Sequence, residues 1–284
     1  MATFYNQATL SFGGNVVNSN TTEAELLSGL ELTKTAVTAS YSAGGSVVYT
    51  VTLRNMDGAP YTGLTLTDDL GAYTVGEATV VPLDYVAGSV LYFVNGVPTA
   101  APTVTSAGNL EFSGIDVPAG GTVTLIYQAD VNGFAPLAAG STITNTASTN
   151  AGVGIGVLTD TATVTVDEAP ELTIAKAVCP AIINDNDTLT YTIIVQNLGN
   201  TPIVATDGVI ISDTFNPVLT GITVDLNGTE LVAGTGYTYD ATTGAFTTLD
   251  GVVTVPAATY TQDPTTGAIT TTPGVTVLTI SGTV

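Results

Sequence analysis

The chain is written twice. Glu31-Leu32-Thr33-Lys34 returns as Glu171-Leu172-Thr173-Ile174-Ala175-Lys176, and the run Ser46–Asn55 (SVVYTVTLRN) returns as Thr188–Asn197 (TLTYTIIVQN). Leu64–Asp68 (LTLTD) returns as Val209–Asp213 (VIISD), and Gly121–Tyr127 (GTVTLIY) as Gly274–Ile280 (GVTVLTI). Lys34 and Lys176 lie 142 residues apart, half of the 284-residue length. Two repeats therefore fill the chain, each long enough to bury a core of its own. Both are Thr- and Val-rich, with β-branched runs broken by Gly and Asn turns, and no stretch has helical periodicity. That is the chemistry of strands.

The chain does not begin where a repeat begins. After Val131 the first repeat continues through Ser141–Ser148 (STITNTAS), an alternating strand, whereas the second stops at Val284, the counterpart of Val131. The strand missing from the second repeat has its counterpart at the other end, in Thr3–Leu10 (TFYNQATL), where Asn6 precedes Asn145 by 139 residues. The next residues correspond too, Asn15 to Lys34 paralleling Gly156 to Lys176. A sandwich without its last strand has an unpaired edge and an apolar groove, which a strand from a neighbouring chain can fill. Phe4, Asn6, Ala8, Leu10 and Phe12 share one face of such a donor strand at period two. Donor and acceptor are different surfaces, so the contact propagates as an open fibre. The alternative is that residues 4–12 fold back onto the second domain of the same chain.

The expected architecture is all-β: two tandem immunoglobulin-like β-sandwiches, with the N-terminal donor strand completing the C-terminal domain of a neighbouring subunit. The boundaries expected are 1–30 for the donor strand and connector, 31–149 for the first sandwich, 150–170 for a connector hairpin, and 171–284 for the second sandwich without its last strand.

Lys34 and Lys176 are the only lysines, and they hold the same place in the two repeats. Each is in phase with apolar neighbours, Leu32 for Lys34, and Leu172, Ile174 and Val178 for Lys176, so alternation points both inward. A lone ammonium in a core is costly and tends to shed its proton, becoming a nucleophile. In phase on another strand are Leu64, Leu66 and Asp68, matched by Val209, Ile211 and Asp213. Ile143, Asn145 and Ala147 are in phase on the last strand. Lys, Asp and Asn are the parts of an autocatalytic isopeptide: the neutral amine attacks the Asn side-chain carbonyl, ammonia leaves, and a protonated Asp polarises the carbonyl. The competing reading is a pair of buried salt bridges, Lys34–Asp68 and Lys176–Asp213, without covalent chemistry. Asp69 adjoins Asp68 but faces the opposite way and ranks second.

The first-strand Lys, the Tyr-Thr-Val/Ile strand ending in Asn55 or Asn197, the Thr/Ser-Asp turn and the Thr144-Asn145-Thr146-Ala147 strand together resemble the bacterial conserved-repeat surface domain. That family is similar to the isopeptide-forming domains of Gram-positive pilins and adhesins. The resemblance covers nearly the whole chain. It implies a Lys34–Asn145 bond with Asp68 as the acid, and Lys176 acting with Asp213. The second repeat has no last-strand Asn of its own. Asn6 stands at the missing place, which implies a Lys176–Asn6 bond between subunits.

Composition narrows the function classes. With 24 Asp plus Glu against three Lys plus Arg, the net charge is −21, which argues against nucleic acid and anionic membranes. Hydrophobic residues make up 44%, too many for a disordered chain, and no apolar run reaches the length of a membrane span. There is no His, and Cys179 is the single cysteine, so zinc, redox and conventional hydrolase constellations are not expected, nor is an internal disulfide. Asn184-Asp185-Asn186-Asp187 is read as a turn rather than a calcium loop, and Gly152–Gly156 as a loop rather than a phosphate cradle. Met1–Asn6 has no basic and apolar leader pattern, which points to a removed leader or another export route, such as release from a lysing mother cell.

The leading expectation is a structural subunit of a bacterial extracellular filament, a pilus or an endospore appendage, at the cell or spore surface. Its partner would be itself, in a helical or linear homopolymer, with no cofactor, no metal and no enzymatic activity beyond single-turnover bond formation. The alternative is a monomeric cell-surface adhesin or S-layer-type binding module.

Overall fold

The computed structural model describes residues 2–26, 29–106, 109–150, 156–184 and 186–284. The protein is all-β; the one helical element among the described residues is a 3₁₀ turn at Ala205–Asp207. The chain divides into two compact units: Met1–Pro136 with Ser141–Val166 and Asp263–Ala268, and Leu137–Gly140 with Asp167–Gln262 and Ile269–Val284.

The first unit contains a β-sandwich. One sheet orders its strands as Val97–Thr99, Leu91–Val94, Thr122–Val131, Ser46–Asn55 and Leu30–Ala36, and a short strand, Leu83–Tyr85, also pairs with Thr122–Val131. The other runs Thr103–Thr105, Leu110–Val117, Tyr61–Asp68, Thr142–Asn150, Val157–Val166 and Ser40–Tyr41. Alternation decides which side chains meet between them. Leu30–Ala36 buries Leu30, Leu32 and Lys34 and exposes Glu31, Thr33 and Thr35. The rings of Phe112 and Tyr127, one from each sheet, are 5.5 Å apart.

Thr142–Asn150 and Val157–Val166 form a continuous antiparallel hairpin, from Thr142 opposite Thr165 to Asn150 opposite Val157. Its first strand also pairs with Tyr61–Asp68, setting Ala147 opposite Asp68. Ile143, Asn145 and Ala147 are buried on one strand, and Ala162, Val164 and Val166 on the other. Burying the larger of these apolar side chains stabilises the fold by roughly 1.5–3 kcal/mol each. Residues 150–170, expected as a connector hairpin, thus carry a full strand of the first sandwich as far as Val166. The cause is the alternation of Ala162, Val164 and Val166, which needs a core to face. Gly152–Ile155 lie outside the described residues.

The second unit repeats the first sheet as Leu172–Cys179, Thr188–Asn197, Gly274–Thr283, Thr220–Leu226 and Thr229–Glu230. Its other sheet has three strands, Ser212–Thr214, Ala245–Thr248 and Tyr237–Asp240. The core gathers Leu189, Ile193, Val195, Phe215, Phe246 and Ile280 among others. Among the described residues Ser212–Thr214 pairs only with Ala245–Thr248, so one of its edges has no strand partner.

Asn55 and Asn197 hold equivalent buried places at strand ends and tie down the adjoining turns. Asn55 Nδ2 donates to the carbonyls of Ala59 (2.8 Å) and Pro118 (2.9 Å), and its Oδ1 accepts from the Asp57 amide at 2.8 Å. Asn197 Nδ2 donates to the carbonyls of Thr201 (2.8 Å) and Pro256 (3.2 Å), and its Oδ1 accepts from the Gly199 amide at 2.9 Å.

The N-terminal segment differs from the single strand expected over residues 4–12. Ala2–Asn6 pairs with Thr22–Leu26, and Thr9–Phe12 with Asn15–Asn18, giving a hairpin interrupted at Gln7-Ala8. Gly13 and Gly14, with φ of 53° and 84°, supply the two left-handed residues that a tight hairpin turn requires. At the interruption the Ala8 amide donates to Ser19 Oγ (2.9 Å), and Gln7 Nε2 donates to the Ser19 carbonyl (2.8 Å). Phe4, Asn6, Ala8, Leu10 and Phe12 are all exposed.

Candidate functional site

In the first unit Lys34 comes from Leu30–Ala36, Asp68 from the end of Tyr61–Asp68, and Asn145 from the first strand of the closing hairpin. All three are buried. The Lys34 Nζ is ion-paired to Asp68 Oδ2, and both side chains are fully inaccessible. Tyr127 joins the three. Its hydroxyl donates to Asp68 Oδ2 and accepts from Lys34 Nζ at 3.1 Å and from Asn145 Nδ2 at 3.2 Å. The ammonium also lies 4.8 Å from the centre of the Tyr49 ring.

Burial pushes the Lys34 pKa down, opposed by the charge of Asp68 and its hydrogen bond, with smaller contributions from Asp69 and Asp160. Tyr127 is pushed well above its ordinary value, by burial first and then by Asp68, so its hydroxyl keeps its proton. Asn145 Oδ1 is buried and has no hydrogen-bond partner. An orphaned carbonyl of this kind costs about 1–3 kcal/mol and calls for a reason. A proton moved from Lys34 to Asp68 would remove the buried charges and create an O–H able to serve such an acceptor. Asp69, ranked second, is occupied structurally: its Oδ1 accepts from the amides of Gly71 (2.9 Å) and Thr146 (2.8 Å). Asp160, on the return strand of the hairpin, accepts from the Lys34 backbone amide at 2.6 Å.

The second unit holds half of this arrangement. Lys176 Nζ is ion-paired to Asp213 Oδ2, but the side chains are 40% and 18% exposed, against 0% for both members of the first pair. Lys176 sits 4.4 Å from the ring centre of Tyr191, the counterpart of Tyr49, and 5.3 Å from that of Phe215. Every residue of Leu172–Cys179 is exposed, including Leu172, Ile174 and Val178, where the equivalent strand of the first unit is alternately buried. Lys176 faces the core side as its phase requires, yet among the described residues no strand closes over it. Asn6, assigned to Lys176, lies in the exposed N-terminal hairpin.

Tyr127 is the residue that sequence reasoning missed. Its inward phase with Val123 and Leu125 was available, but a tyrosine among strand residues looks like core, and only the folded sheets bring its hydroxyl to Lys34, Asp68 and Asn145.

No group of three or more His, Cys, Asp or Glu able to hold a metal occurs among the described residues. Asp187 Oδ2 accepts from the Asn184 backbone amide at 2.6 Å, as in a turn, and Asp185 lies outside the described residues. Cys179 is free and exposed. No helix among the described residues is long and apolar enough to cross a membrane.

No family model matches the chain, and no curated protein matches it. Among solved structures it is similar to the pilus backbone protein of Streptococcus pneumoniae, at 14% identity and a TM-score of 0.34, over 86% of this chain and 55% of that one. It is similar to the full-length major pilin of Corynebacterium diphtheriae, at 11% identity and 0.37, over 92% and 73%. The major pilin subunit of Bacillus cereus matches at 12% identity and 0.37, over 95% and 70%. The chain thus spans about half the length of the pneumococcal protein. Scores of this size transfer no role.

Proposed function

We propose that the chain is the structural subunit of a bacterial surface filament, either a pilus or a spore appendage. It polymerises head to tail when the N-terminal segment of one copy completes the second sandwich of the next. The observation that carries this is the contrast between the repeats. The first Lys–Asp pair is sealed beneath Thr142–Asn150, while the second stands open beside an unpaired strand edge. The counterpart of the sealing strand lies elsewhere in the chain and is exposed from Phe4 to Phe12. An apolar face on an unpaired sheet is unfavourable in water, and an identical chain carries the element that fits it.

The chemistry proposed for the first unit is single-turnover isopeptide formation. Lys34 passes a proton to Asp68, and the neutral amine attacks Asn145 Cγ, whose oxygen is polarised by the Asp68 carboxyl. The tetrahedral intermediate expels the Asn145 amide nitrogen as ammonium, which carries away two protons from Lys34, one directly from the attacking amine and one by way of Asp68. One C–N bond forms, one breaks, and Asp68 ends in the state in which it began. In the assembled filament Lys176, Asp213 and Asn6 of the next copy undergo the same exchange, which makes the polymer covalent.

A boiled, reduced denaturing gel of assembled protein, with intact mass on any monomer band, tests the proposal. A ladder that collapses on Asn6→Ala or Lys176→Ala is expected. A monomer band short of one ammonia leaves strand donation non-covalent. A monomer short of two ammonias means that the chain closes on itself, which would sink the filament reading.

A further inference from the structure

We infer that the donated element is the whole N-terminal hairpin, residues 2–26, and that it covers two edges of the acceptor sandwich rather than one. This rests on the head-to-tail assembly proposed above and specifies its partner surface: a two-stranded segment from a second copy of this chain.

The first unit supplies the template. Its acid strand Tyr61–Asp68 is covered by Thr142–Asn150, and the return strand Val157–Val166 goes on to a second task. Through Asp160 it caps the backbone amide of Lys34, on the opposite sheet, and it buries Ala162, Val164 and Val166. Closure of the lysine site therefore needs both strands.

The N-terminal hairpin reproduces this element pair by pair. Phe4 opposite Ala24 stands for Ile143 opposite Val164, Asn6 opposite Thr22 for Asn145 opposite Ala162, and Leu10 opposite Val17 for Thr149 opposite Leu158. Register is what decides which side chains face a core, and each half of the hairpin keeps the template's pairing, the first strand throughout and the return strand on either side of a one-residue shift. One difference falls where it matters. Between Asn18 and Thr22 the return strand has one residue more than between Thr159 and Ala162, so Ser19-Asn20 replaces the position of Asp160. The acceptor, in turn, offers two uncovered elements: the free edge of Ser212–Thr214 and the exposed strand Leu172–Cys179. A lone two-stranded hairpin is marginal in water, and this one exposes Phe4, Leu10, Phe12, Val16 and Val17. Docking as a hairpin buries both strands without breaking the existing ladder, whereas donating residues 2–12 alone would strand residues 15–26.

Amide hydrogen exchange on the full chain, as monomer and as polymer, separates the cases. Hairpin donation predicts that residues 15–26 exchange near the open-chain rate in the monomer and at least about 100-fold more slowly in the polymer. Polymers in which residues 2–12 are protected while 15–26 stay fast overturn the hairpin and leave the filament reading standing. Failure to polymerise at all overturns the filament reading and the hairpin with it. A pair of variants gives a second readout. Thr22 takes the buried place of Ala162 and Glu23 the exposed place of Thr163, so T22R stops assembly and E23R does not. Equal behaviour of the two overturns the inference.

Discussion

Tyr127 and Ile280 occupy the same position in the two repeats: Tyr127 lies opposite Tyr49 across its sheet, and Ile280 lies opposite Tyr191. The first site thus has a hydroxyl among its amine, acid and amide, and the second has a methyl-bearing chain there. If the Tyr127 hydroxyl positions the reacting groups, Tyr127→Phe slows the Lys34–Asn145 bond on the order of 10²-fold, the lower range for a group that manages protons. Intact mass of pulse-expressed protein, followed over time for loss of ammonia, measures it. Linkage at the wild-type rate would reduce the hydroxyl to a packing role.

The two ion pairs differ in exposure, so their removal differs in cost. In an unlinked Asn145→Ala background, Lys34→Ala leaves Asp68 buried without its partner and costs roughly 3–5 kcal/mol. Lys176→Ala removes a half-exposed pair in the monomer and costs about 1 kcal/mol or less. Urea unfolding of the variants gives both numbers, and similar costs would contradict the open character of the second site.

Lys34 also makes stability depend on pH. Burial lowers its pKa in the folded state from the ordinary value of 10.5. Between the lowered value and 10.5 the unfolded chain binds a proton that the folded chain has shed, so stability rises with pH across that window. Below the window the penalty for the buried charge is constant, and above it the penalty is gone. The difference in unfolding free energy between Asn145→Ala and Asn145→Ala/Lys34→Met, taken against pH, isolates this contribution from the tyrosines that titrate nearby. A flat difference curve would mean that Lys34 keeps its ordinary pKa.

The buried asparagines are structural, and their loss is expected to be felt equally in the two repeats. Asn55→Ala or Asn197→Ala leaves several turn carbonyls and amides without partners, at a cost of roughly 1–3 kcal/mol for each such group. Thermal unfolding of each variant checks this, and the mass loss at the Lys34 site is expected to persist in Asn197→Ala.

Much of this was legible in the residues. Period-two alternation places Lys34 with Leu32, Asp68 with Leu66 and Asn145 with Ile143, and in the first sandwich all six are buried. The tandem repeat and the absence of helical periodicity are enough for an all-β chain. Less legible were residues 150–170 and 1–30. Reading strands one at a time treats the residues after each strand as a connector, and so it missed that Val157–Val166 and Asn15–Leu26 are return strands.

The repeat, the phase of each lysine and the place of Asn6 are properties of order along the chain, and the sequence by itself determined them. Tertiary structure alone decided which of these groups meet and which stay open to solvent. Pairing across strands depends on register and turns, such as the left-handed Gly13-Gly14 corner that folds the N-terminus into a hairpin. Burial depends on the strands of the facing sheet: with Thr142–Asn150 in place the Lys34 pair is fully inaccessible, and without such a strand the Lys176 pair is not. Two lysines at equivalent places in the repeat therefore differ in exposure, because solvation is set by the strands packed over them.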